Sequence, residues 1–225
     1  MKQKDYLTAC ELIKHNLKDE FSRLLRDEFV IPRYNPAVIH EYLFNLDLHI
    51  VLTQNFDKIY DTYASTESSN TIMITNYYDD DIASVVRGNC RAIIKAHGTI
   101  DQPTKMVFTR SEYGKARYDY STFYLLLDSL VLTHTFVFVG CGLDDPDTRM
   151  TLERHAHLFP YGRPHFIVLP SGQHRDIQES TSRNLNLRML TYKSDNNHIE
   201  LSNSLKNLVD SVEIKRNEMA SSFNW

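Results

Sequence analysis

Thr135-Phe136-Val137-Phe138-Val139-Gly140-Cys141-Gly142-Leu143-Asp144-Asp145-Pro146 is the stretch on which the fold turns. Its first five residues are apolar or β-branched with no polar alternation, the pattern of a strand buried on both faces. Gly140 and Gly142 allow a sharp backbone turn. Asp145-Pro146 then supplies an N-cap and a proline at the first helical position. Similar short apolar runs occupy residues 49–53, 91–96, 106–109, 165–169 and 187–192, with a short edge strand expected at 71–75. Helical periodicity fills about 118–132, 145–158 and 199–215. Strands alternating with helices predict an α/β fold, a doubly wound, mostly parallel Rossmann-like sheet flanked by helices.

Upstream of the first run, Leu7, Ile13, Leu17, Phe21, Leu24 and Leu25 recur at helical spacing, which predicts one helix over 4–29. Pro36 opens a second helix reaching about residue 46. The chain reads as a single domain over 1–219. A helical part covers about 4–47, a sheet core about 48–193 and a C-terminal helix about 198–216, followed by a frayed tail at 220–225.

Twenty-five Lys and Arg stand against 29 Asp and Glu, a net charge of −4. That balance argues against broad nucleic-acid binding, which depends on neutralising phosphates with positive charge. The three cysteines, Cys10, Cys90 and Cys141, are far apart and form no CxxC pair. Neither a disulfide framework nor a four-cysteine zinc site is therefore available, and reduced thiols in the cytoplasm are expected. No apolar run is long enough for a membrane span, and the first residues lack the apolar stretch of a signal peptide. His155 and His157 face different sides of their predicted helix, so no metal site is expected there.

In an open parallel sheet, ligands bind beyond the carboxyl ends of the strands. The residues at those ends here are Thr53-Gln54-Asn55-Phe56-Asp57, His97-Gly98-Thr99 and Gly140-Cys141-Gly142. An amide pair with a carboxylate, a histidine beside a glycine, and a glycine turn opening a helix form a plausible site for a polar, phosphate-bearing ligand. Each signal alone is weak. Their order, and their common position after strands, carry the expectation.

With those motifs in place, the chain resembles the sirtuin-like domains of bacterial anti-phage defence proteins. Thr53-Gln54-Asn55-Phe56-Asp57 is similar to the sirtuin TQN-x-D motif, His97-Gly98 to its HG pair, and residues 136–146 to its FxGxxLxDP strand-turn-helix. Ile39-His40 with Leu43 and Leu46 matches the usual approach to the first of these strands. The resemblance implies NAD as substrate and cleavage of its nicotinamide–ribose bond. It assigns His97 as general base, Asn55 as the group that positions the attacking water, and Asp57 as a carboxylate near the developing positive charge. Thr53, Gln54, Gly98, Gly140, Cys141 and Gly142 become the expected NAD-binding contacts. Cys141-Gly142 departs from the hydroxyl residue that sirtuins place after the first glycine.

Two absences shape what the resemblance implies. Without paired cysteines the zinc module of protein-deacylating sirtuins cannot form, so NAD hydrolysis or its cyclising variant is expected instead of deacylation, with no zinc. The family also opens with a strand and a GAGxS loop that cradles the pyrophosphate, and no glycine precedes Gly88. A truncated product, completion of the sheet by a neighbouring element or protomer, and a reorganised domain that no longer binds NAD all fit this start. Two functions follow. One is an NAD-cleaving effector of a defence system, acting as a homo-oligomer or with a partner defence protein. The other is a catalytically impaired module for protein interaction or regulation.

Overall fold

The computed structural model describes residues 5–143 and 145–222. The chain is α/β, with every strand pair parallel and helices in the crossovers. Its strands form two three-stranded sheets in two compact units, one ending at Tyr124 and the other starting at Leu125.

The first unit begins with α1 (Tyr6–Leu17) and α2 (Glu20–Phe29) in place of the single helix predicted over 4–29. The break falls at Lys18, whose φ of 46° no right-handed helix accommodates. After the turn, Phe21 and Leu25 lie one helical turn apart and bury together against Ile100 and Met106. Next come α3 (Val38–Asn45), β1 (Ile50–Thr53), α4 (Ile59–Glu67), β2 (Met73–Asn76), α5 (Ile82–Arg87) and β3 (Ala92–Lys95). The sheet order is β1-β3-β2, with β2 on the edge, where a short strand was expected. All four residues of the central strand β3 are buried. Parallel strands covered on both faces are uniformly apolar as a rule, so the lysine at the end of β3 is an anomaly.

Residues 106–109 do not form the predicted strand. A 3-10 turn at Pro103–Lys105 precedes them, and they run extended into α6 (Arg110–Asp119). Met106 and Val107 are apolar because they are buried, Met106 beneath Phe21 and Leu25, and not because they join a ladder. Thr109 caps α6 reciprocally: its hydroxyl accepts the Glu112 N–H at 3.2 Å, and the Glu112 carboxylate accepts the Thr109 N–H at 3.0 Å.

Helix α7 (Ser121–Thr133) leads to β4 (Val137–Phe138), α8 (Pro146–Leu158), β5 (His165–Pro170), α9 (Arg175–Leu185), β6 (Leu187–Tyr192) and α10 (Asp195–Ser222). The sheet order in the second unit is β4-β5-β6. Leu152, Ile167, Leu185 and Leu187 are almost wholly buried in this unit. Asn196, Asn197 and His198 adopt left-handed φ of 50°, 56° and 62°, so regular helix resumes at Ile199, the predicted start. It continues to Ser222, beyond the predicted end near residue 216 and through the first part of the tail expected to fray. Residues 223–225 of that tail, the first residue of the predicted opening helix and Asp144 of the glycine-turn motif lie outside the described residues. Among the described residues no helix is long and apolar enough to cross a membrane.

Candidate active site

Register brings the candidate residues of the first unit to one rim. Thr53 pairs with Lys95 between β1 and β3, and Asn76 pairs with the same Lys95 between β2 and β3. The segments after Thr53, Asn76 and Lys95 therefore leave the sheet at the same carboxyl end. The Ala96 N–H donates to the Thr53 carbonyl at 2.9 Å, which extends the ladder one residue past β3. The Ile100 N–H donates to the Phe56 carbonyl at 2.9 Å, so the two rim loops are tied directly together.

Asn55 is exposed on this rim, and its N–H donates to the Thr53 hydroxyl at 3.2 Å. That closes a short side-chain turn at the end of β1. Gln54 and Asp57 are half-buried. One Asp57 carboxylate oxygen accepts the Ile59 N–H at 2.9 Å and so satisfies an otherwise orphaned donor at the start of α4. This carboxylate is thus fixed in place by the helix that follows it.

His97 is 7% exposed. Its ring lies edge-on to Tyr113, with centroids 5.3 Å apart and the Tyr113 hydroxyl 3.5 Å from Nε2. Phe56 flanks it at 6.4 Å and itself stacks on Phe108 at 4.1 Å. Gly98 follows with φ of 82°, and the turn it makes passes so near Lys105 that an added Cβ would lie 2.7 Å from the Lys105 carbonyl oxygen. Glycine is the residue that meets both conditions.

Two neighbouring phenols, Tyr77 and Tyr78, stay neutral. Burial pushes both hydroxyls up, Tyr78 to about 12, with Asp79, Asp101 and Tyr120 adding to it. The Tyr77 hydroxyl donates to the Lys105 carbonyl at 2.7 Å, and the Lys105 ammonium bonds the Tyr120 hydroxyl. Asp79 closes a turn by accepting both the N–H and the side-chain amide of Asn76, at 2.7 and 3.0 Å.

The second unit carries the other candidates. Gly140 follows β4 with φ of 69°, an added Cβ there would meet no described atom within 4 Å, and Cys141 is half-buried. Burial pushes the Cys141 thiol up, and Asp145 adds to the shift, so the sulfur stays protonated at neutral pH. Asp145 caps α8 by accepting the Thr148 N–H at 2.7 Å, with Pro146 in the first turn, as the sequence predicts. His165 Nδ1 accepts the Phe136 N–H at 3.1 Å, a structural bond at the start of β5. Among the described residues no group of three His, Cys, Asp or Glu is placed to hold a metal ion.

Three residues beside the rim escaped the sequence reading. Tyr113 lies in α6, and no local pattern marks it as a partner of His97. Asp61 lies in α4, where a lone aspartate reads as solvent-facing, yet it is one of the two buried residues of that helix. Lys95 did leave a signal: a lysine within a run otherwise read as buried on both faces requires a buried counter-charge.

A parallel sheet with amide, carboxylate and imidazole groups at one carboxyl rim defines an α/β protein of the class that binds ligands beyond its strand ends. The chain belongs to the SIR2-like domain family, whose model matches residues 49–190, more than half of its length. It is 28% identical over 171 residues to defense-associated sirtuin 2 of Bacillus subtilis, covering 72% of this chain and 16% of that protein. It is 23% identical over 164 residues to the NAD(+) hydrolase ThsA of Bacillus cereus strain MSX-D12, covering 72% of this chain and 32% of the relative. With the NAD(+) hydrolase ThsA of Acinetobacter baumannii strain 532279 it shares 21% identity over 171 residues, covering 76% and 35%. The chain thus spans about a third or less of the length of each of these relatives.

Proposed function

We propose that this chain is the NAD-cleaving part of a bacterial defence protein. The observation that carries the reading is the placement of Asn55 and His97 at the carboxyl ends of two adjacent, register-matched strands in a chain of the SIR2-like family. The names of its relatives support NAD as the substrate.

In this reading the bond from the ribose C1′ to the nicotinamide nitrogen breaks, and its electron pair leaves with neutral nicotinamide. The ribose carries the positive charge as an oxocarbenium-like species. Asp57, held by its bond to the Ile59 N–H, supplies a fixed negative charge for that species. Asn55 orients a water toward C1′, and His97 accepts the proton that water loses as the new C–O bond forms. The products are nicotinamide, ADP-ribose and one proton. Thr53, Gln54 and Gly98 line the ribose side.

Purified protein incubated with NAD should release nicotinamide, measured by chromatography. His97→Asn and Asn55→Ala should each slow release by about 10²–10⁴-fold, the usual worth of a positioned proton acceptor or water-orienting group. Undiminished turnover in both variants overturns the site. Absence of turnover in the unaltered protein favours the interaction module.

A further inference from the structure

The most deeply buried charge in the first unit has no part in the chemistry above. Lys95 is the last residue of β3, two positions before His97, and its side chain is 1% exposed. Its ammonium lies 2.7 Å from the Asp61 carboxylate of α4, itself 5% exposed, and 2.7 Å from the backbone carbonyl oxygen of Asp57. Burial pushes the Asp61 carboxyl up, and the Lys95 ammonium opposes that shift.

A buried ion pair is a poor device for stability, because desolvating two charges offsets most of their attraction. Apolar residues would fill that space as well. What apolar residues lack is a donor for the Asp57 carbonyl. That carbonyl ends the Asn55–Asp57 segment, which the ladder holds at Thr53 and the Ile100 N–H holds at the Phe56 carbonyl, so Lys95 fixes the one backbone acceptor at its far end. The Lys95 ammonium thus couples the backbone of this segment to the strand that delivers His97.

We infer that Lys95 is a positioning residue for NAD cleavage: neutralised by Asp61, it pins the Asn55–Asp57 backbone to the strand that presents His97. The inference rests on the proposed function for its catalytic consequence, while its geometric content stands apart from it.

The test uses paired replacements. In Lys95→Met/Asp61→Leu no charge is left unpaired, so the melting temperature returns close to that of the unaltered protein, whereas either single change lowers it sharply. Nicotinamide release by this double variant is expected to show kcat reduced about 10–100-fold with KM changed much less, as misplacement near the chemistry produces. Lys95→Gln/Asp61→Asn keeps a donor for the Asp57 carbonyl and should recover most of kcat. A Met/Leu variant with restored melting temperature and full kcat overturns the inference, since a purely structural role recovers with stability.

Hydrogen exchange over residues 54–59 supplies a readout independent of activity. In the unaltered protein these amides should exchange at least ~100-fold slower than a free chain, and in the Met/Leu variant faster than that. Free-chain exchange in the unaltered protein overturns the inference, even where a double variant fails to refold. Protected exchange together with no NAD cleavage would instead sink the proposed function and leave the pinning intact.

Discussion

Gly98→Ala should be among the most damaging single-methyl additions in this chain, and its cost can be built from parts. At φ of 82° an alanine enters left-handed backbone, which costs about 1–2 kcal/mol. Its Cβ would stand 2.7 Å from the Lys105 carbonyl oxygen, 3.3 Å from the Lys105 carbonyl carbon and 3.5 Å from the Met106 Cα. All three are backbone atoms and cannot rotate aside. Displacing them strains the bond from the Tyr77 hydroxyl to the Lys105 carbonyl and that from the Val107 N–H to the His97 carbonyl, each worth about 1 kcal/mol. The sum is about 3–4 kcal/mol, or a fall in melting temperature of about 6–16 °C for a protein of this size. Scanning calorimetry measures it. Gly114→Ala serves as the control: it lies inside α6, nothing approaches within 4 Å of an added Cβ, and it should gain about 0.5–1 kcal/mol in helix propensity. Equal melting temperatures for the two variants would refute the reasoning, because a strained turn and an open helical site would then respond alike.

Two further outcomes concern the second unit. Asp145→Ala removes the cap on the Thr148 N–H and should cost about 0.5–2 kcal/mol in urea unfolding, with Asp145→Asn or Asp145→Ser retaining most of it. Burial, reinforced by His155, holds the His165 imidazole below its ordinary 6.5. The unfolded chain therefore takes up that proton first as pH falls, so the stability His165 protects is full above 6.5 and is lost as pH drops from there to the folded value. His165→Asn keeps an acceptor for the Phe136 N–H and should flatten the decline in melting temperature between about pH 7.5 and pH 5. An unchanged slope would show that other groups govern that window.

The central strand β3 was legible because a doubly buried parallel strand leaves a run of buried apolar residues, Ala92-Ile93-Ile94; β6 was placed residue for residue at Leu187–Tyr192 although half of it is exposed. The same signal misled at 106–109, where an apolar run reflects burial beneath α2 and not ladder pairing. Helix α9 was invisible for the opposite reason, since Leu185 is its only buried residue. Helices α4 and α5, nine and six residues long, are too short for helical periodicity to stand out. The break at Lys18 depends on a backbone angle at an ordinary residue type, which composition does not reveal. At the candidate site, motif order located Asn55, Asp57 and His97 on strand ends, and strand register accounts for their common rim. Tyr113 and Asp61 belong to the site through contacts far from it in sequence, 16 residues from His97 and 34 from Lys95. No local pattern encodes such contacts.

The Lys95–Asp61 pair also constrains how this sequence can change over time. Replacing either partner alone strands a buried charge and costs on the order of 3–5 kcal/mol, a large share of a domain's total stability, whereas replacing both with apolar residues is close to neutral for folding. The route from the charged to the apolar pair therefore crosses an intermediate that barely folds. A scan of single substitutions would score both positions as intolerant for stability alone, and only paired libraries can separate the requirement for a folded chain from the requirement for a placed Asp57 carbonyl.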